Sequence, residues 1–151
     1  MQLSLNAIPL LVVASLNLAI GLYVYRRNPN SQPNRAFALV ASTAALWTVA
    51  VALSHHSTPP SVQFVRLALA AGSLIALGIL VLAESFPAPP GPMGSLPLRV
   101  FAPLAVTFSI ASLSPLLVVS TSQSPSGLRV AYGPLYPVFA IYVLTCFGFA
   151  L

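Results

Sequence analysis

A polar segment, RRNPNSQPNR at positions 26–35, separates two apolar stretches that are each close to the length needed to cross a lipid bilayer. The segment combines three arginines with prolines and asparagines, which end helices and set turns. Because it is the most cationic loop of the chain, the positive-inside bias predicts that it lies in the cytoplasm and that the amino terminus lies outside. The predicted topology anchors are Arg26, Arg27, Arg35 and Arg99.

The composition extends this pattern to the whole chain. Of the 151 residues, 58% are hydrophobic and only 5% are charged, whereas about a quarter of the residues are charged in an ordinary soluble domain. Repeated apolar runs of about 20 residues predict an all-α fold, a polytopic transmembrane helical bundle that forms one membrane domain. Five spans are predicted, at about 4–25, 36–54, 62–84, 100–119 and 134–151.

The charge distribution excludes several classes of function. The net charge of +5 and the pI near 10.2 arise from six arginines and one acid, Glu84. These arginines lie singly or in pairs at the ends of apolar runs and not on one solvated face, so no nucleic acid is predicted as a partner. The predicted partner is the lipid bilayer of the cytoplasmic membrane. The single cysteine, Cys146, supports neither a disulfide framework nor a thiolate metal site.

The remaining loops test the predicted orientation. The loop at 55–61 carries no formal charge and is predicted outside, and the proline-rich loop at 85–99 carries Arg99 and is predicted inside. The loop at 121–132 is predicted outside although it carries Arg129. Three of the four loops therefore agree with the orientation. The amino terminus has no cation ahead of its apolar run, so it is interpreted as a first span and not as a signal peptide.

Two adjacent histidines, His55 and His56, follow the second apolar run. Neighbouring side chains on one helical turn point in different directions, and a stable metal site needs three or four convergent ligands. No metal and no cofactor is predicted. A pH-sensing role for the histidines is slightly more plausible, and the ordinary interpretation is a solvated turn.

Three residues are the candidates for signal sensing or for the bundle interior. Asn17 falls near mid-depth in the first span, where polar side chains usually hydrogen-bond to a neighbouring helix. Trp47 lies just past the middle of the second span, away from the interfacial belt, and is predicted to pack inside the bundle. Arg66 lies one turn inside the outer end of the third span. It either extends its stem to the interface or faces an outward cavity.

Small residues and a proline predict how the helices pack and bend. Four-residue spacing of small side chains allows close helix approach, and it occurs at Ala44, Thr48 and Ala52 and again at Ala68, Gly72 and Ala76. Pro115 is predicted to kink the fourth span and to free the carbonyl of Ala111. The hydroxyl of Ser112 or Ser114 would satisfy that carbonyl. The last run ends at Leu151 without flanking anchors, and we expect either that the chain is a truncated piece or that its reading frame stops short of helices that its relatives possess.

Four stretches of the sequence resemble a known family. They are LNLAIGLYVYRR, NPNSQPNRAFALVASTAALW, FVRLALAAG and YGPLYPVFAIYVL, and they follow the order found in the amino-terminal seven-helix membrane region of bacterial sensor histidine kinases. The resemblance implies an outside amino terminus, seven spans of which this chain has the first five, cytoplasmic signalling modules, and a homodimer. No kinase motif occurs in this chain, and His55 and His56 are predicted at the outer face, away from cytoplasmic ATP.

These observations predict a sensory input domain of a two-component system without its kinase modules. A small-molecule or lipidic ligand, or the state of the membrane, would shift the helix packing through Asn17, Trp47 and Arg66. The alternative is a stand-alone small membrane protein, either a transporter or channel subunit or a helix-packing partner. Transport commonly needs ionisable groups near mid-membrane, and none is predicted there. An enzyme would need a cluster of catalytic groups, so no catalytic residue is predicted.

Overall fold

The computed structural model describes residues 7–56, 61–86, 96–124 and 127–150. Within these residues, three long helices are followed by a shorter helix, a two-stranded antiparallel hairpin and a last short helix. The elements are α1 (Ala7–Arg27), α2 (Gln32–His56), α3 (Val62–Glu84), α4 (Leu96–Ser112), β1 (Val118–Ser124), β2 (Gly127–Tyr132) and α5 (Tyr136–Ala150). Most of the proline-rich loop predicted at 85–99 and the start of the predicted first span lie outside the described residues.

The first two helices are joined by a short, hydrogen-bonded loop. Pro9 lies in the first turn of α1, where its missing N–H costs least, and Arg26 and Arg27 end the helix at the negative end of its dipole. The side-chain amide of Asn34 donates to the carbonyl of Val24 at 3.1 Å and to that of Asn28 at 3.2 Å. These bonds fix the start of α2 beside the end of α1.

Helix α2 lies between α1 and α3, and small residues set both contacts. A Cβ added at Gly21 of α1 would lie 2.8 Å from the Cβ of Ala41, and one added at Gly78 of α3 would lie 2.8 Å from Cγ2 of Val40. The absence of side chains at both glycines therefore allows close helix approach.

The faces of small residues predicted from the sequence are largely turned inward. Thr48 and Ala52 are buried in α2, and Ala44 is half-buried. Ala68 and Ala76 are buried in α3. Gly72 differs, since it is only half-buried and an added Cβ there would meet nothing within 4 Å.

The contact between Gly21 and Ala41 allows the α1–α2 interface to be tested by adding a methyl group on one helix and removing one from the other. We expect Gly21→Ala to destabilise the protein by about 2 kcal/mol, because neither Cβ can rotate away and the helices must separate. Ala41→Gly in the same chain should recover most of that loss, measured as unfolding in mixed micelles titrated with SDS. Equal stability of Gly21→Ala and the unmodified protein would contradict this packing.

A second core lies among α3, α4 and α5 and is rich in aromatic rings. Phe108 contacts Phe139 edge-to-face with ring centroids 5.7 Å apart, and its ring lies 5.0 Å from that of Tyr142. Cys146 and Leu117 close this core and are fully buried. Helix α3 therefore belongs to both halves of the molecule, with α2 on one side and the aromatic core on the other.

The region after Ser112 departs from the prediction of a continuous fourth span. Helix α4 ends at Ser112, so Pro115 lies beyond it and does not kink it. The hydroxyl of Ser114 does donate to the carbonyl of Ala111, at 2.7 Å, as one of the two predicted alternatives. The residues that follow form the hairpin, which corrects the all-α prediction.

Local sequence explains this hairpin. Its first strand begins with two valines and continues with serine, threonine and glutamine, and β-branched residues favour strands. Its pairing runs from Val118 opposite Tyr132 to Ser124 opposite Gly127. Gly127 has φ +115°, a conformation open to glycine and rarely adopted by other residues.

Three of the helices are long and apolar enough to cross a bilayer: Ile8–Arg27, Gln32–His55 and Val62–Glu84. Helices α4 and α5 have 17 and 15 residues, which correspond to about 25 and 22 Å against a hydrocarbon core of about 30 Å. The described residues therefore contain three full-length candidate spans and two shorter apolar helices, and the arrangement with five spans stays a prediction.

Candidate functional site at the α4–β1 link

Arg66 joins α3 to the segment between α4 and β1, which we call the α4–β1 link (residues 113–117). The side chain is 8% exposed. Its Nε and one terminal nitrogen donate to the carbonyl of Val118 at 3.2 and 2.9 Å, and the other terminal nitrogen donates to the carbonyl of Leu113 at 3.5 Å. One guanidinium group therefore bonds to the first residue of the link and to the residue that follows it.

Backbone carbonyls, and not a carboxylate, compensate the buried charge of Arg66. The one acidic side chain of the chain, Glu84, ends the same helix eighteen residues later, which is about 27 Å along the axis. The guanidinium also lies near the positive end of the α3 dipole, which adds to the cost of burying it. The carbonyl of Leu113 follows the negative end of α4 and offsets part of this cost.

The segment between β2 and α5 also bonds to the link. The backbone N–H of Gly133 donates to the carbonyl of Leu117 at 2.8 Å, and that of Leu135 donates to the carbonyl of Leu116 at 3.1 Å. Leu117 and Val118 are fully buried. The link is therefore bonded to α3 through Arg66 and to the start of α5 through the chain around Gly133.

A group of hydroxyls connects α3 to α4 and α5 deeper in the bundle. The hydroxyls of Ser73 and Ser109 lie 2.6 Å apart, and that of Ser73 also donates to the carbonyl of Ala70 at 2.8 Å. The phenol of Tyr142 donates to the carbonyl of Ser73 at 3.0 Å. Hydrogen bonds of this kind hold helices together in an apolar environment. A movement of α5 would therefore strain or break the bond between Tyr142 and Ser73 of α3.

Two tyrosines stack where the hairpin meets α5. The rings of Tyr132 and Tyr136 lie 3.9 Å apart and nearly parallel. Burial, followed by the neighbouring phenol of Tyr136, raises the pKa of Tyr132 above its ordinary value. The stack connects the hairpin to the aromatic core through Phe139, whose ring lies 6.3 Å from that of Tyr136.

The three residues predicted from the sequence do not form one site. Arg66 faces inward, since it is buried and bonded to the link, and the outward cavity named in the second alternative stays a prediction. Asn17 lies half-buried on α1, on the stripe that also carries the buried Ala14 and Gly21. Trp47 is 44% exposed, which corrects the prediction that it packs inside the bundle. The packed faces of α2 are lined by small residues, and a bulky indole is accommodated only on its outer face.

The predicted topology anchors Arg26, Arg27, Arg35 and Arg99 are all exposed. The carbonyl partners of Arg66 were not predicted, because a backbone carbonyl has no signature in the sequence. The pair of Ser73 and Ser109 was also missed. Its signal was available, since a serine deep in an apolar helix needs a hydrogen-bond partner.

In a comparison with known proteins, one family model matches nearly the whole chain. A family model described as the N-terminal 7TM region of histidine kinase matches residues 9–151. No kinase domain was detected in the chain, and no curated protein or solved structure matches it. The match and the three long apolar helices indicate a multi-pass membrane protein.

Proposed function

Because the chain belongs to the N-terminal seven-transmembrane region of histidine kinases, we propose that it is the signal-input part of a receptor kinase in the cytoplasmic membrane. In this proposal the chain itself does no chemistry. It changes its helix packing in response to a signal, and the kinase to which such a region is joined reports the change. A homodimer is the proposed assembly, as the resemblance implies.

The proposed orientation puts the hairpin outside the cell. If the arginine loop at 26–35 is cytoplasmic, as the positive-inside bias favours, α3 begins at the outer face. The contact between Arg66, near that beginning, and Val118 puts the base of the hairpin at the same face. A small-molecule or lipidic signal arriving from outside would then meet the hairpin and the link first.

The observation that carries the proposal is the buried guanidinium of Arg66, which bonds to Leu113 at the start of the link and to Val118 directly after it. A signal changes the output only if it binds one packing better than another. In the proposal the two packings differ in the Arg66 bonds: the link is bonded to α3 in the packing described here and is released from α3 in the other. Release is transmitted to α5, because the link is also bonded to the chain around Gly133.

A chimera tests this proposal, with this chain in place of the corresponding part of a full-length histidine kinase of the family. We expect Arg66→Gln to change basal autophosphorylation about fivefold or more, because it favours the released packing without any signal. The matched control is Arg129→Gln, which removes the same charge from an exposed position on β2. Equal basal rates in the two variants, with both proteins folded in the membrane, would contradict the proposal.

A further inference from the structure

An apolar groove runs between α1 and α2 near the end that carries the arginine loop. It has a volume of about 430 Å³ and is lined by Leu18, Gly21, Leu22, Tyr25, Ala38 and Ser42. This volume lies in the range of about 300–1,000 Å³ that is usual for small-molecule sites. The lining is almost wholly hydrocarbon, so it suits an alkyl chain and not a polar ligand.

Three arginines lie at the end of this groove. Arg26 and Arg27 directly follow Tyr25, which lines the groove, and Arg35 lies three residues before Ala38, which also lines it. The bonds of Asn34 to the backbone of Val24 and Asn28 keep the two helix ends side by side. All three arginines are therefore presented near one end of the groove.

The charges of these arginines are largely unbalanced within the chain. All three are exposed, and the chain has a single acidic side chain. The single side-chain carboxylate of the chain can therefore neutralise no more than one of their three positive charges. Arginine binds phosphate oxygens in a bidentate geometry, and basic pockets between helices on the cytoplasmic side suit anionic lipid headgroups.

We propose that the α1–α2 groove binds an acyl chain of an anionic phospholipid, whose phosphate is bound by Arg26, Arg27 and Arg35. The apolar groove and the cationic end match the two parts of such a lipid. A second copy of the chain is disfavoured as occupant, since parallel packing in the membrane would bring its own three arginines to the same end. The proposal does not depend on coupling to a kinase.

The charge part of the proposal is tested with the full chain in detergent, titrated with phosphatidylglycerol or phosphatidylcholine and observed by native mass spectrometry. We expect phosphatidylglycerol to be retained preferentially. The double variant Arg26→Gln/Arg35→Gln should lose about tenfold in affinity for it. The control Arg99→Gln/Arg129→Gln changes the net charge by the same amount at other exposed sites and should retain the lipid.

The groove is tested separately by filling it. Ser42 is exposed and lines the groove, and Ser42→Leu should reduce retention of phosphatidylglycerol several-fold. Thr107→Leu is the control, since Thr107 is exposed on α4 and does not line this groove.

The proposal would be overturned by equal retention of the two lipids, by unchanged binding in the arginine variant, or by cross-links showing that a second copy fills the groove. Soluble glycerol 3-phosphate is used as a further probe, and binding as tight as that of the lipid would also overturn it, because the groove would then contribute nothing.

Discussion

Replacing Gly133 with alanine is expected to destabilise the protein by about 3 kcal/mol. A Cβ at this position would overlap the carbonyl of Leu116 and would lie 2.6 Å from the carbonyl oxygen of Pro115. Both obstacles are backbone atoms, which cannot move aside as a flexible side chain can. The link would have to shift, and the hydrogen bond from Gly133 to the carbonyl of Leu117 would be strained or lost.

The effect is measured as unfolding in mixed micelles titrated with SDS. Labelling of Cys146 by a membrane-permeant maleimide gives a second readout, because this single cysteine is fully buried in the aromatic core. Gly72→Ala is the matched control, since an added Cβ there meets nothing within 4 Å. In a helix interior this change is expected to be neutral or to stabilise by up to about 1 kcal/mol. Equal stability of the two variants would show that the link does not pack against Gly133.

Replacing Arg66 with methionine is expected to cost about 3 kcal/mol. Methionine keeps much of the apolar stem but removes every donor, so the buried carbonyl of Val118 loses two hydrogen bonds and that of Leu113 loses one. Hydrogen bonds to charged groups contribute about 1.5–3 kcal/mol each, and leaving the buried carbonyl of Val118 unsatisfied adds a penalty.

The desolvation cost of the buried charge opposes this expected loss of stability, so the measurement shows which of the two effects is larger. Removing a buried charge also removes its desolvation cost, and replacing whole buried ion pairs by apolar residues has stabilised some proteins. Here only one partner is removed and the carbonyls remain, so the loss is expected to dominate. Arg129→Met is the control on the exposed face of the hairpin and should change stability by no more than about 0.5 kcal/mol. A stable Arg66→Met protein would mean that desolvation, and not bonding to the link, governs this arginine.

The first half of the fold was predictable because its signals are local. The third helix occupies 62–84, the range in which the third span is predicted, and the second helix extends beyond the range of 36–54 predicted for the second span at both ends. Long apolar runs, breaks at asparagine and proline, and terminal arginines act over neighbouring residues. The later half was less predictable, since the apolar run around Pro115 is compatible with a buried strand or with a helix, and hydrophobicity alone does not separate them.

The candidate site was predictable only in part, for two physical reasons. Arg66 was recognisable as a charge inside an apolar run, but its partners are main-chain carbonyls about fifty residues away. The prediction that Trp47 packs inside the bundle rested on its depth in the second span, whereas the large size of its side chain places it on the outer face of α2. The neighbours of α2 approach through small residues such as Gly21 and Gly78, and this leaves no room for an indole between helices.

The separation in sequence between bonded partners has a consequence for how the protein is made. The bonds between α1 and α2 are available as soon as the loop at 26–35 has been synthesised. The bond between Arg66 and Val118 can form only after 52 further residues have been synthesised. The bond between Ser73 and Tyr142 can form only after 69 further residues. Until Val118 has been synthesised, Arg66 therefore lacks the carbonyl partners that it has in the folded protein. Its burial is a late step, completed when the rest of the chain folds back onto it.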